Sequence, residues 1–114
     1  MNESEYLKTY NKSEFESPIF SVDSVLLTCH EDTLKVLLVE RLNHPHKGYW
    51  GLPGGFVDLK KDKTIEETAI RKLKEKTGIT PPYIKQLMSI GSAKRDKRGW
   101  SVTVCYSALI AHEN

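Results

Sequence analysis

The feature that most constrains the fold is a Gly-Gly turn that delivers the chain into one capped amphipathic helix. Leu52-Pro53-Gly54-Gly55-Phe56-Val57-Asp58 is followed, after a short polar loop, by Thr64-Ile65-Glu66-Glu67. Thr64 with Glu67 three residues on forms a capping box, in which hydroxyl and carboxylate satisfy first-turn amides reciprocally. Ile65, Ala69, Ile70 and Leu73 then recur at helical spacing, and Gly78 can take the left-handed conformation that ends a helix. One helix is predicted from about Ile65 to Thr77, with an apolar stripe that another layer must cover.

The flanking segments supply that layer. Ile19 to Cys29 is β-branched and partly alternating, Glu31-Asp32-Thr33 is a polar turn, and Leu34 to Val39 is apolar again, which predicts two adjacent strands. Beyond Pro81-Pro82, Tyr83 to Ser92 and Trp100 to Ala111 read as strands around the polar turn Lys94 to Gly99. Asn43 to Gly55, dense in His, Pro and Gly, predicts a loop of fixed backbone geometry around Tyr49-Trp50. The order strand, strand, loop, helix, strand, strand predicts an α+β fold with a mixed sheet, not a doubly wound array. Residues 1–17 form a polar arm expected to dock through Tyr6, Leu7, Tyr10 and Phe15. The domain expected over residues 18–114 stops just after an apolar strand, so it is expected to be incomplete.

Charge and composition exclude several functions. Lys+Arg 17 against Asp+Glu 15 leaves a net charge of +2, too little to imply binding to a phosphate backbone by charge alone. The acidic start and the lack of an apolar run near the roughly 20 residues a bilayer needs predict a cytoplasmic protein without membrane contact. Cys29 and Cys105 each lie in an apolar run without Cys-x-x-Cys spacing and are expected to be buried free thiols. His44 and His46 flank Pro45 without further matched ligands, so no zinc site is expected.

The stretch from Leu52 to Ile79 resembles a Nudix box, whose signature is Gly, five residues, Glu, seven residues, then Arg-Glu-apolar-x-Glu-Glu-x-Gly-apolar. The match covers the Gly-Gly turn, Arg71, Leu73, Glu75, Gly78 and Ile79, and Trp50-Gly51-Leu52-Pro53 is also typical of the family. The resemblance implies the Nudix fold, a mixed sheet sandwiched by helices.

The departures bear on activity. Counting back along the signature from Arg71 places its first glutamate at Lys63, and Gly55 then sits too early, which implies a two-residue insertion after Asp58. The Arg-Glu and Glu-Glu pairs read Arg71-Lys72 and Glu75-Lys76. At about 100° per residue, positions 72, 75 and 76 share one helix face. In active members that face carries carboxylates for Mg²⁺, which requires oxygen ligands. Here it is formally +1 where the signature gives −3, so metal-assisted hydrolysis is expected to be lost. No catalytic residue and no metal ligand is assigned. The same lysines also suit the negative end of the helix dipole, and Arg71 with Glu75 makes an i, i+4 pair worth about 0.3–0.5 kcal/mol if exposed.

Beyond the box, the chain resembles the Nudix-type transcriptional regulators of NAD metabolism, over Tyr10 to Ala111. The likeness rests on Leu37 to Arg41, His44 to Trp50, Gly54 to Val57, and Arg95-Asp96-Lys97-Arg98-Gly99-Trp100 through Val104. It implies an ADP-ribose sensor, a homodimer, and DNA binding through a winged helix outside these residues. Such a ligand needs cations for its phosphates, aromatic surface for adenine and polar groups for ribose. Arg41, Lys47, Arg95 and Arg98 are candidates for the first and Trp50, Phe56 and Trp100 for the second, with Gly55 and Asp96 as further ligand-binding candidates. Lys47 and Lys97 as solvated cations, and Phe56 and Trp100 as packing residues, would need no ligand.

Two further readings compete. One is an active Mg²⁺-dependent ADP-ribose pyrophosphatase with carboxylates recruited from Asp58, Asp62, Glu66 or Glu67. The other is a module for a different nucleotide that keeps the basic helix face and the Arg95 turn only for phosphate contact.

Overall fold

The computed structural model describes residues 1–111; the last three residues of the expected domain lie outside them. In chain order the elements are α1 (Glu3–Thr9), a 3-10 turn (Lys12–Glu14), β1 (Ile19–His30), β2 (Thr33–Val36), β3 (Val39–Glu40), β4 (Trp50–Gly51), β5 (Gly54–Phe56), α2 (Ile65–Thr77), β6 (Lys85–Ser92) and β7 (Ser101–Leu109).

β1 organises the sheet. It pairs antiparallel with β2 near its end and with β5 near its start, and parallel with β7 from Ile19 opposite Ser101 to Leu27 opposite Leu109. β6 closes the other edge antiparallel to β7, so the sheet is mixed, as predicted. The β1–β2 hairpin turns through Glu31 and Asp32, at φ 51° and 61°. Positive φ at both central residues gives the turn handedness that matches strand twist.

On β1, Val22, Ser24 and Leu26 are buried at alternate positions and meet α2 through Ala69 and Leu73, with Val104, Tyr106 and Ala108 of β7 completing the core. Fully burying a side chain such as Leu26 or Leu73 contributes about 1.5–3 kcal/mol. α2 spans the predicted residues because its signals are local. The Glu67 amide donates to Thr64 Oγ1 at 3.1 Å and the Lys63 amide to Glu67 Oε2 at 2.7 Å, while Gly78 ends the helix at φ 76°.

Three expectations are corrected. The strand predicted over Leu34 to Val39 is split: the Leu37 amide still donates to the Leu26 carbonyl, in register with the β1–β2 ladder, and the chain then leaves β1 to build a separate ladder of β3 with β4. Cys29 is exposed, since its position on β1 has the opposite parity to Val22 and Leu26; Cys105 is buried. The arm does not bury its anchors: Tyr6, Leu7, Tyr10 and Phe15 are all about half exposed or more. They satisfy one another instead, with Tyr6–Tyr10 and Tyr10–Phe15 ring centroids 5.8 Å apart. No helix among the described residues is long and apolar enough to cross a membrane.

Candidate functional site

A cleft of about 520 Å³ opens where β5, the cleft-facing side of α2, the loop after Arg41 and the β6–β7 turn converge. Gly54 lets its floor form. A Cβ there would collide with the Val22 carbonyl oxygen and with Asp23, so β5 could not lie against β1. At Gly55 a Cβ would stand 2.6 Å from Lys72 Cε, so the missing side chain leaves the channel through which Lys72 crosses the floor.

Behind the floor, Arg71 ties the loop to the helix. Its Nε and Nη2 donate to the two oxygens of Asp62 at 2.8 and 2.7 Å, Nη1 donates to Glu75 at 3.0 Å, and Nη2 also donates to the Phe56 carbonyl at 3.1 Å. The Asp62 side chain is 2% exposed and accepts further bonds from the Asp58 amide and the Thr68 hydroxyl. The Arg71 guanidinium above all holds the Asp62 carboxyl well below the usual carboxylate range, against the desolvation that opposes it. A bidentate pair of this kind fixes geometry as well as charge.

The walls are cationic. Arg41 Nε donates to the Pro45 carbonyl at 2.7 Å, while its own amide and carbonyl bond Tyr49 and Gly48, so the His-Pro-His loop folds around this side chain. Lys72 Nζ lies 3.1 Å from Glu75 Oε2. Lys76 is destabilised as a cation, first by burial and then by Lys72 and Arg41, with Asp23 and Glu75 only partly compensating. From the β6–β7 turn, Asp96 accepts from the Arg98 amide, Nε and Nη2, and this holds the guanidinium 5.3 Å from the Phe56 ring centroid. Arg98 likewise keeps the Asp96 carboxyl well below its ordinary range. Arg95 Nη1 donates to Oγ of buried Ser101 at 2.7 Å, anchoring the turn to β7.

The structure thus gathers Arg41, Gly55, Phe56, Arg95, Asp96 and Arg98 around one cleft, together with Lys72 and Lys76. Three of the residues predicted for the site do not line it. Lys47 is exposed beside Gly48, Trp50 lies exposed on β4, and Trp100 packs toward Gly91 of β6. Lys63 is exposed and contributes its backbone amide to the helix cap. Arg71 and Glu75 stand behind the floor, outside the lining. Sequence reasoning missed Asp23, which lines the cleft and accepts from Thr103 at 2.5 Å; an acid inside an otherwise apolar strand was its signal.

A NUDIX domain model matches residues 20–113. The chain belongs to the NUDIX family. It is 52% identical over 109 residues to the ADPR responsive transcriptional repressor NtrR of Acinetobacter baylyi, covering 96% of this chain and 44% of that protein. It is 38% identical over 90 residues to the ADP-ribose pyrophosphatase of Methanocaldococcus jannaschii, covering 78% and 49%. The chain therefore spans about half the length of these curated relatives. Among solved structures, the NUDIX domain of Shewanella oneidensis NrtR complexed with ADP ribose superposes with a TM-score of 0.96 at 54% identity, covering 99% of this chain and 73% of that one. NrtR of the same organism complexed with a 27mer DNA matches with a TM-score of 0.76 at 59% identity, over 80% and 42%.

Set against the NUDIX signature, the donor set does not fit Mg²⁺. The oxygens of Glu75 are taken by Arg71 and Lys72, and those of Asp62 by Arg71. Lys72 and Lys76 occupy the face where a hard cation needs oxygen ligands. Among the described residues, no group of three or more His, Cys, Asp or Glu side chains is arranged to hold a metal ion. The structure also revises the register of the NUDIX box: the acid that anchors Arg71 is Asp62, one residue before the Lys63 that counting had indicated.

Proposed function

We propose that this chain is the effector-sensing part of a transcriptional repressor of NAD metabolism, binding ADP-ribose in a catalytically degenerate NUDIX cleft. One observation carries the reading: Arg41, Lys72, Lys76 and Arg95 converge with the Phe56 ring on a cleft whose lining holds six cations against two carboxylates. Two phosphates can be met by the cations and a base by the aromatic ring, which is the chemistry an adenine dinucleotide fragment asks for. The likeness to an ADPR responsive repressor and to a NUDIX domain holding ADP ribose supports the choice of ligand.

In this reading residues 18–114 form the ligand-binding unit behind the arm of residues 1–17. ADP-ribose is an effector, and the unit uses no cofactor. The protein acts in the cytoplasm as a homodimer and reaches DNA through a winged-helix part outside these residues. Ligand changes DNA affinity only to the extent that it binds the two states of the dimer unequally.

Calorimetric titration of ADP-ribose without added metal, followed by addition of Mg²⁺ and product analysis of the same sample, tests the assignment. Saturable binding with intact ligand is the expected outcome. Sustained heat with AMP accumulating would establish the pyrophosphatase reading that the Methanocaldococcus relative represents.

A further inference from the structure

The lining of the cleft is far from electrically balanced. Six cationic side chains, Arg41, Lys72, Lys76, Arg95, Lys97 and Arg98, face two carboxylates, Asp23 and Asp96, in a chain whose whole net charge is +2. Asp96 is held by Arg98, and Asp23 accepts from Thr103. The surplus is concentrated on one wall. Lys72 and Lys76 stand one helical turn apart on α2, and Arg41, held by the Pro45 carbonyl, lies near enough to disfavour the Lys76 cation. Such an arrangement is costly until an anion enters, because like charges in a partly dehydrated space repel. An ammonium has three donors, and Lys72 spends one on Glu75, so donors remain for phosphate oxygens.

Resting on the ligand reading above, we propose that Arg41, Lys72 and Lys76 stand in for a divalent ion, so that the cleft selects the uncomplexed diphosphate and Mg²⁺ antagonises its binding. A diphosphate diester carries two negative charges, and coordination of Mg²⁺ neutralises both. The complexed ligand then offers the cations no net charge and brings a metal ion that Arg41, Lys72 and Lys76 repel. Effector occupancy in this chain therefore falls as divalent cation rises, the reverse of what a metal-assisted NUDIX site shows.

The test is calorimetry on the unmodified chain with two probes, ADP-ribose and inorganic pyrophosphate. Each is titrated first with a chelator present, then at rising Mg²⁺, with ionic strength held constant by KCl so that screening does not change. The expected result is saturable binding in chelator that weakens about tenfold or more for ADP-ribose once most of it is complexed, and less for pyrophosphate, whose complex with one Mg²⁺ keeps part of its negative charge. ADP-ribose affinity that is unchanged by Mg²⁺, rises with it or needs it overturns the proposal while leaving the ADP-ribose assignment intact. Pyrophosphate binding in chelator that weakens with Mg²⁺, without any ADP-ribose binding, supports the proposal and overturns the assignment. Binding of neither probe overturns both. In the double variant Lys72→Gln/Lys76→Gln, checked for folding by circular dichroism, metal-free pyrophosphate affinity is expected to fall about 100-fold. Unchanged affinity in the folded variant would also overturn the proposal.

Discussion

At the scale of single residues, Asp62 connects the loop to the helix. Its ordinary pKa near 4 is lowered in the fold, so its contribution to stability is complete above that range and is lost as pH falls through it toward the folded-state value. Thermal unfolding followed from about pH 7 to pH 2 is expected to show a falling Tm, with a shallower slope below about pH 4 for Asp62→Asn, so that the gap between the two chains narrows toward the acid end without closing. Identical slopes would mean that the Arg71 pair is not a source of acid sensitivity; some slope remains in the variant because Asp96 is lowered in the same way. The structural role of Arg71 was legible in the sequence, since an arginine four residues before Glu75 on a helix has an obvious partner. Asp62 was not. The Asp58 and Asp62 side chains fold the intervening residues into a turn by bonding backbone amides, and that turn presents the acid one residue earlier than the signature's count. Trp50 and Trp100 lie outside the cleft lining, and residue type could not show it: a ring can stack, but the fold decides which surface it meets.

At the scale of elements, α2 was readable nearly to the residue because cap, stripe and stop all act within a few positions. Its stability should divide accordingly. Thr64→Ala is expected to cost about 1 kcal/mol by removing the cap acceptor, and Leu73→Ala about 2–5 kcal/mol by emptying a buried site between helix and sheet. Denaturant unfolding of the two variants measures both; a loss at Thr64 equal to that at Leu73 would show that the cap supports more than its own turn. The strands were less legible. Alternation identified β1 and β7, yet the break after β2 falls where the chain exchanges β1 for β4 as its partner, and no pattern inside residues 34–39 announces that exchange. The cysteines repeat the lesson: apolar neighbours suggested that both are buried, while the two-residue period of β1 sends Cys29 to the exposed face.

At the scale of the whole molecule, the described chain is elongated, with a radius of gyration of 17.3 Å against roughly 13 Å for a compact body of this length. Residues 1–15 close their hydrogen bonds among themselves and bury no side chain, so removing the arm is expected to change folding stability by no more than about 0.5 kcal/mol. A larger loss on denaturant titration would reveal that the aromatic group of Tyr6, Tyr10 and Phe15 supports the sheet. Charge is unevenly spread as well: the arm holds four glutamates against two lysines, and the cationic surplus lies in the body around the cleft. The parallel pairing of β1 with β7 bears on how the protein comes into being. The first strand of the sheet waits for a neighbour some 80 positions later, so during synthesis β1, β2 and β5 emerge from the ribosome as an open hairpin with one long unpaired edge. Pairings so distant along the chain form slowly, and an exposed edge invites other chains. The interval between translation of Ile19 and of Leu109 is thus the period in which a nascent chain of this protein is most open to chaperones and to aggregation.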